Sequence, residues 1–277
     1  MDDGMPAGVM PAEATVGTVC GSDGCDVPER SGAGHAAPTA ATRAAAAPEA
    51  GTRIDIVSDA ICPWCYVGKR HLESALAELS AEGLHFSVHW NPFQLNPDMP
   101  KQGVERAAYR AAKFGSAERS REIDARVASA ATAAGLAFRQ DLMLRTPNTI
   151  DAHRLIWFAG RNDQPGEAQP AEGRQDAVMD AVFRAYFIQG RDIGDVEVLA
   201  DCAAEAGLDR AAVAAFLGSD VAAAEMRAAD QAAREAGVNG VPSFFLDGYS
   251  VFSGAMPAAQ MAEAFRRGRR ILQQREA

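Results

Sequence analysis

The chain has 277 residues, a formal net charge of -10 and 48% apolar residues. That sign of charge excludes a binder of the nucleic-acid phosphate backbone, which needs a surplus of Lys and Arg to displace counterions. The apolar share is enough for a sizeable core, and no apolar run is long enough to span a bilayer. The opening Met1-Asp2-Asp3 is acidic, and no continuous apolar stretch follows it. The sequence therefore reads as lacking a secretory signal, and a cytoplasmic location is expected. Paired thiols there are more often redox-active or metal-bound than permanent cross-links.

Residues 1–52 read as a disordered tail, rich in Ala, Gly, Pro, Thr and Glu and without sustained apolar periodicity. Such a segment buries too little surface to offset its ordering entropy. It holds Cys20 and Cys25, with His35 nearby. These are read as incidental thiols in a flexible arm, the alternative being a metal or accessory redox pair.

Order begins at Arg53. Ile54-Asp55-Ile56-Val57-Ser58 is a β-branched run and predicts a strand. The loop Asp59-Ala60-Ile61 leads to Cys62-Pro63-Trp64-Cys65. Leu72, Leu76 and Leu79 then repeat at helical spacing until Gly83. Pro63 suits the first helical turn, where its missing N–H costs nothing, and it biases Cys62 away from helical geometry. This places Cys62 near the N-cap. Phe86 to Trp90 alternates as a second strand, and 53–102 forms the first half of a β-α-β-type domain.

Residues 103–237 read as almost wholly helical. Ile123, Val127, Ala130 and Ala134 make one stripe; Ile150, Leu155 and Phe158 a second; Val178, Val182 and Ala185 a third. Asp195, Asp209 and Asp220 stand where N-caps are wanted, and the polar stretch 160–173 reads as a surface loop. Residues 238–277 return to strands. Ser243 to Leu246 and Tyr249 to Phe252 flank Asp247-Gly248, the residues a type I′ hairpin turn demands. Pro257 then opens a closing helix with Met261, Phe265 and Leu272 on one face. The order is that of a thioredoxin-like α/β fold with a large all-helical domain inserted between its β-α-β and β-β-α halves. The inserted block is expected to roof the dithiol face.

Chemistry concentrates at Cys62 and Cys65. A thiolate at a helix N-terminus is favoured by free N–H groups and the positive end of the dipole, which predicts a lowered Cys62 pKa. Cys65 lies one turn further in, placed to attack a mixed disulfide formed on Cys62. A zinc site would need two more ligands at paired spacing, and none stands out, so no metal is expected. Pro63 and Trp64 flank the nucleophile as candidate substrate contacts. Neither carries charge, so a less oxidising couple is expected than with an intervening His. Asp59 is a possible cleft residue, able to raise a nearby thiol pKa or to relay a proton to Cys65; the alternative is a solvated loop carboxylate. Val241-Pro242, ahead of the hairpin, is a second candidate substrate contact. The residues alone leave open a cis peptide that exposes backbone for pairing with a peptide and a trans one that only starts the strand. Asn148 and His153 are further cleft candidates, each also readable as a helix cap and a packed core histidine. Cys202 reads as a buried core thiol, and Arg266, Arg267, Arg269 and Arg270 as the solvated face of the last helix.

Several of these stretches, in this order, resemble the DsbA-like thioredoxin-fold oxidoreductases, and within them the FrnE-like dithiol-disulfide isomerase branch. They are Ser58-Asp59, Cys62-Pro63-Trp64-Cys65-Tyr66, Gly68-Lys69-Arg70, Trp90-Asn91-Pro92-Phe93, Asn148 to Arg154, Gly240 to Phe245, and Ser253-Gly254-Ala255. The resemblance spans roughly 53–273. It implies a redox site at Cys62 and Cys65, a cis peptide before Pro242, and disulfide-containing proteins or small-molecule thiols as partners, with no nucleic acid or membrane. No cofactor is required; glutathione is a possible thiol co-substrate, and a homodimer is allowed. Kappa-class glutathione transferases and hydroxychromene-carboxylate isomerases share the architecture and give one alternative function, although they typically place Ser where Cys62 stands. A redox-sensing chaperone that binds clients in the cleft is the other.

Overall fold

Strand β1 (Thr52–Ser58) is the inner strand from which the sheet is built. It pairs in parallel with β2 (Phe86–Pro92) and antiparallel with β5 (Ser243–Leu246), which in turn pairs antiparallel with β6 (Tyr249–Ser253). The computed structural model describes residues 52–161 and 174–276. The sheet order is β2-β1-β5-β6. Ile56 stands opposite Trp90 on one side and Phe244 on the other. Ile54 and Ile56 are fully buried, as expected of a strand with neighbours on both edges. The Asp247-Gly248 turn has positive φ at both residues, 45° and 82°, so the sequence signal for a type I′ hairpin is met in the backbone.

Helix α1 (Pro63–Ala81) follows β1 and is closed by Gly83, whose φ of 78° suits only a residue without Cβ. It packs against the final helix α9 (Ala258–Glu276). Leu72, Ala75 and Leu79 of α1 and Met261, Ala262 and Phe265 of α9 are all buried in one core. Phe265 touches the rings of Phe86, Phe244 and Phe252, so this helical layer sits on the sheet.

Between β2 and β5 the described residues form seven helices: α2 (Arg106–Phe114), α3 (Ala117–Ala133), α4 (Ile150–Ala159), α5 (Arg174–Phe187), α6 (Val196–Glu205), α7 (Arg210–Leu217) and α8 (Ala223–Glu235). The helical insertion expected from the sequence is present. The Asp195 and Asp209 side chains accept N–H bonds from Glu197 and Ala212 and cap α6 and α7.

Three details depart from the sequence reading. A two-residue ribbon, β3 (Val104–Glu105) with β4 (Arg145–Thr146), lies within the helical region; two residues carry no periodicity to detect. Asp220 does not cap α8 with its side chain. The N-cap is Ala222 in the left-handed region, and Asp220 contributes only its carbonyl, to Ala223 N–H. Arg266 is not simply solvated: it bridges Glu78 and Glu82 at the end of α1 and Glu263 on its own helix. The expected tail with Cys20, Cys25 and His35, and all but the first two residues of the loop at 160–173, lie outside the described residues.

The insertion is tied to α1 by charge and by rings. The buried Lys69 ammonium bonds Glu73 and, at 2.9 Å, Asp176 of α5. Arg70 pairs with Asp180, also of α5, at 2.9 Å. Tyr66 stacks on Phe183 with centroids 4.9 Å apart and on Phe138 at 5.8 Å. These contacts account for the Tyr66 and Gly68-Lys69-Arg70 stretches and fix α5 beside the helix that carries the dithiol. Arg154 of α4 is 2% exposed and donates to Asp151 and to the carbonyls of Phe216, Leu217, Ser219 and Val221. It thereby closes the C-terminal end of α7, where carbonyls lack helical partners.

Candidate active site

Cys62 is the N-cap of α1, with extended backbone (φ -85°, ψ 113°) and Pro63 following in the first turn. Its N–H donates to Asp59 O at 3.0 Å, and its carbonyl accepts from Cys65 N at 3.1 Å. No acidic residue stands in the first turn of the helix, so no side-chain charge there opposes a thiolate. Cys62 and Cys65 are both free thiols. Cys62 is 4% exposed and Cys65 1%.

Burial pushes the Cys65 thiol well above its usual range, and hydrogen bonding to and negative charge on Cys62 push the same way. The Ser58 hydroxyl and the Asp59 backbone N–H pull it back only in part. Ser58 Oγ is buried without a partner that meets ordinary hydrogen-bond geometry, so its pull on the sulfur is weaker than a formed bond would give. Two adjacent thiols resist a second negative charge. The inner one therefore stays protonated while the outer one reacts.

Opposite the dithiol, the Val241–Pro242 peptide is cis, the isomer the resemblance implied. Cys62 Sγ lies 3.6 Å from Val241 O. The loop is held from behind: Ser243 Oγ donates to Gly240 O at 2.8 Å and meets Ser253 Oγ at 2.7 Å, and Pro242 O accepts from Gly254 N at 2.7 Å. Pro242 itself is buried.

A cavity of about 360 Å³ opens at Cys62. Pro63, Trp64 and Val241 line it, and Trp64 is 42% exposed at its rim. Ile61, Leu95, Asn96 and Gly240 add to the lining, and the rest of the wall comes from the insertion, notably Arg106, Arg110 and Phe138. The insertion thus does roof the dithiol face.

The three cleft candidates, Asp59, Asn148 and His153, are not among the residues lining this cavity. Asp59 is fully buried, which overturns the solvated-loop alternative. Its carboxylate accepts from Leu95 N at 2.7 Å and Ile61 N at 3.4 Å, and His153 Nε2 stands 3.5 Å away. His153, also buried, has the same nitrogen 3.1 Å from Phe93 O. Asn148 Oδ1 accepts from Ile150 N at 2.9 Å and Nδ2 donates to Met99 O at 2.6 Å. The three form a polar support that ties the loop after β1, the exit from β2 and the start of α4. Cys202 is buried in the core, its thiol pushed up to about 12 mainly by burial.

The sequence reading did not single out the cations of the cavity wall. Arg106, Arg110 and Lys113 recur at i, i+4 and i+7, one helical face, and that spacing was the available signal. Nothing local says that this face turns toward a thiol more than 40 residues earlier in the chain.

A profile of the DSBA-like thioredoxin domain family matches residues 53–266. The chain belongs to that family. It is 35% identical to the probable DsbA oxidoreductase SCO1869 from Streptomyces coelicolor, whose crystal structure superposes with a TM-score of 0.65 over 77% of this chain and 88% of that one. The uncharacterized protein YwbO of Bacillus subtilis is 27% identical over 206 residues, 73% of this chain and 90% of its own. The fold is shared more distantly with the cytosolic disulfide reductase DsbM from Pseudomonas aeruginosa, with GSH: 19% identity, a TM-score of 0.50, and coverage of 80% of this chain and 98% of that one. Members of the family exchange thiols and disulfides, which gives the Cys62–Cys65 geometry its chemical context.

Proposed function

We propose that the protein is a cytoplasmic thiol–disulfide oxidoreductase or isomerase that works through Cys62. The observation that carries this reading is the pair of free thiols at the start of α1, with Cys62 facing the Val241 carbonyl across the mouth of the cavity. The Cys62 thiolate attacks one sulfur of a substrate disulfide R–S–S–R′. A Cys62–S–S–R bond forms and R′–S⁻ leaves. Cys65, giving up its proton, then attacks Cys62 Sγ, closing the Cys62–Cys65 disulfide and releasing R–S⁻. Two electrons pass from the dithiol to the substrate, and the two protons of the dithiol go to the released thiolates. In isomerisation a substrate thiol resolves the mixed disulfide instead, and the dithiol stays reduced. Net reduction needs a thiol donor to reopen the pair; glutathione, which accompanies DsbM, is the donor we put forward. The cytoplasmic setting is put forward from a dithiol that lacks an intervening charged residue and from the fold shared with the cytosolic disulfide reductase DsbM. Among the described residues no helix is long and apolar enough to cross a membrane.

The test is a pair of single variants incubated with a disulfide substrate. Cys65→Ser should accumulate a mixed disulfide on Cys62, visible as a mass increase reversed by reductant, and Cys62→Ser should form none. If both variants reduce and reshuffle protein disulfides as the parent does, the dithiol is not the site.

A further inference from the structure

The cavity beside Cys62 carries a local charge opposite to that of the whole chain. Its charged lining residues are Arg106, Arg110, Lys113 and a single carboxylate, Asp124, in a protein of formal net charge -10. Asp124 is shared. Arg106 Nη2 reaches both of its oxygens at 3.1 Å, and Arg110 Nη2 reaches Oδ1 at 2.6 Å. Arg110 Nε is spent on Ser120 Oγ at 3.1 Å. Among the described residues Lys113 has only neutral partners, Asn96 Oδ1 at 2.6 Å and the Tyr109 hydroxyl. Three cations against one carboxylate leave a surplus of two positive charges on the wall.

The surplus is held where it counts. The Arg106 and Arg110 side chains are only 14% and 17% exposed, so water screens them less than it would surface residues. Burial and the neighbouring Arg106 hold the Arg110 guanidinium below its ordinary pKa, against the pull of Asp124. The site is thus short of negative charge. Backbone geometry keeps it in place: the Glu105 side chain accepts from Ala107 N at 2.8 Å and Ala108 N at 2.6 Å and caps α2, and Tyr109 OH is hydrogen-bonded to Asn96 in the exit from β2. A volume of about 360 Å³ falls at the small end of small-molecule sites, about 300–1,000 Å³. It suits a compact ligand better than a folded protein segment.

We propose that Arg106, Arg110 and Lys113 form a selectivity site for a carboxylate on a small thiol or disulfide whose sulfur meets Cys62. This deepens the thiol–disulfide reading above and rests on it. An incoming carboxylate supplies the missing charge and takes N–H donors that Asp124 leaves free, as guanidinium groups do with carboxylates generally. A neutral disulfide of the same size gains none of this.

Two chromogenic disulfides test the proposal on the reduced full-length chain: dithiobis(nitrobenzoate), which carries two carboxylates, and dithiodipyridine, which carries none. The readout is the ratio of their second-order rate constants with Cys62. Arg106→Gln with Arg110→Gln should lower that ratio about ten-fold, the worth of a charge-assisted hydrogen bond. Asp124→Asn, which frees the cations, should raise it, an outcome that mere loss of stability would not produce. Salt should depress the ratio in the parent and leave it flat in the double variant. A ratio unmoved by both sets of substitutions overturns the selectivity site while leaving the dithiol chemistry standing. Failure of Cys62 to react with either disulfide overturns the thiol–disulfide reading and this inference with it.

Discussion

Pro242 rests on Gly68. A Cβ placed on Gly68 would sit 3.1 Å from Pro242 Cγ and 3.7 Å from Ala255 Cα, so the loop that faces Cys62 lies directly on the helix that carries it. The absence of a side chain at Gly68 sets the distance between the two halves of the site. Gly68→Val should push the Val241–Pro242 loop outward. We expect a loss of about 1–3 kcal/mol of stability from overpacking, measured by denaturant unfolding. The exchange rate at Cys62 should fall even at temperatures where the variant is fully folded. An unchanged rate in a destabilised variant would mean that the loop position does not govern the chemistry.

Asp59 was expected from the sequence either to be solvated or to serve the thiols through its charge. Its oxygens are instead occupied by the N–H groups of Leu95 and Ile61, and the part of Asp59 that acts on Cys65 is its backbone N–H. Asp59→Asn keeps an acceptor for Leu95 and should slow the attack of Cys65 by no more than a few-fold. Asp59→Ala leaves the part-buried N–H groups of Leu95 and Ile61 without this acceptor and should cost about 2–6 kcal/mol, at roughly 1–3 per orphaned group. Single-turnover release of the mixed disulfide separates the cases. A fall of two orders of magnitude in Asp59→Asn would restore the carboxylate as a proton relay.

What could be read from the sequence follows the range of the interaction. Cys62, Pro63 and Cys65 were legible because an N-cap, a first-turn Pro and a second thiol one turn on are local facts. The Asp247-Gly248 turn was legible because positive φ restricts residue choice. Asp195 and Asp209 could be placed because their partners lie two or three residues away. Asp220 was misplaced because Ala222, in the left-handed region, starts α8 without any side-chain cap. The role of Lys69 depends on Asp176, 107 residues later, and that of Arg106 on a cavity assembled from seven separate stretches. Those pairings are consequences of packing, which local periodicity does not encode.

Reduced protein should lose stability at alkaline pH through its buried thiols. The Cys202 thiol is raised by burial, and by nearby Glu205, from the ordinary 9.0 to about 12. A raised pKa means that the folded state holds the proton more tightly than the unfolded chain. The contribution is therefore complete below pH 9, where both states are protonated. It is drawn down between pH 9 and 12, where only the unfolded chain ionises. The slope for one such group is about 1.4 kcal/mol per pH unit. Cys202→Ala should flatten the fall by about that slope, measured by urea unfolding of the reduced protein at several pH values. An unchanged slope would assign the alkaline loss to other groups, Cys65 first among them.

Lys69 tests how the insertion is fastened. Its ammonium is buried, but Glu73 and Asp176 are each more than a third exposed. Removing the cation therefore leaves two carboxylates that water can reach, rather than a stranded interior charge. Lys69→Met keeps most of the stem packing and should cost about 1–3 kcal/mol, below the 3–5 typical of breaking a fully buried pair. Because α5 supplies Phe183 against Tyr66 on α1, amide exchange in α5 should speed up more than in β1. Equal acceleration in both would show that the pair supports the whole fold rather than this junction.

Arg154 is the opposite case, a cation whose partners are buried with it. It takes the carbonyls of Phe216, Leu217, Ser219 and Val221 and the carboxylate of Asp151, and its guanidinium lies 4.9 Å from the centre of the Phe216 ring. No other side chain offers five donors in one plane. Lysine can serve at most three of these acceptors and cannot stack, so Arg154→Lys should already cost about 2 kcal/mol. Arg154→Met should cost about 3–5, because Asp151 is then left buried without its partner. Adding Asp151→Asn to Arg154→Met should recover part of that loss, a coupling a double-mutant cycle reads directly. The dithiol lies outside this network, so the rate of mixed-disulfide formation should hold in every variant that remains folded. A loss of rate without a loss of stability would show that the α4–α7 junction reaches the active site.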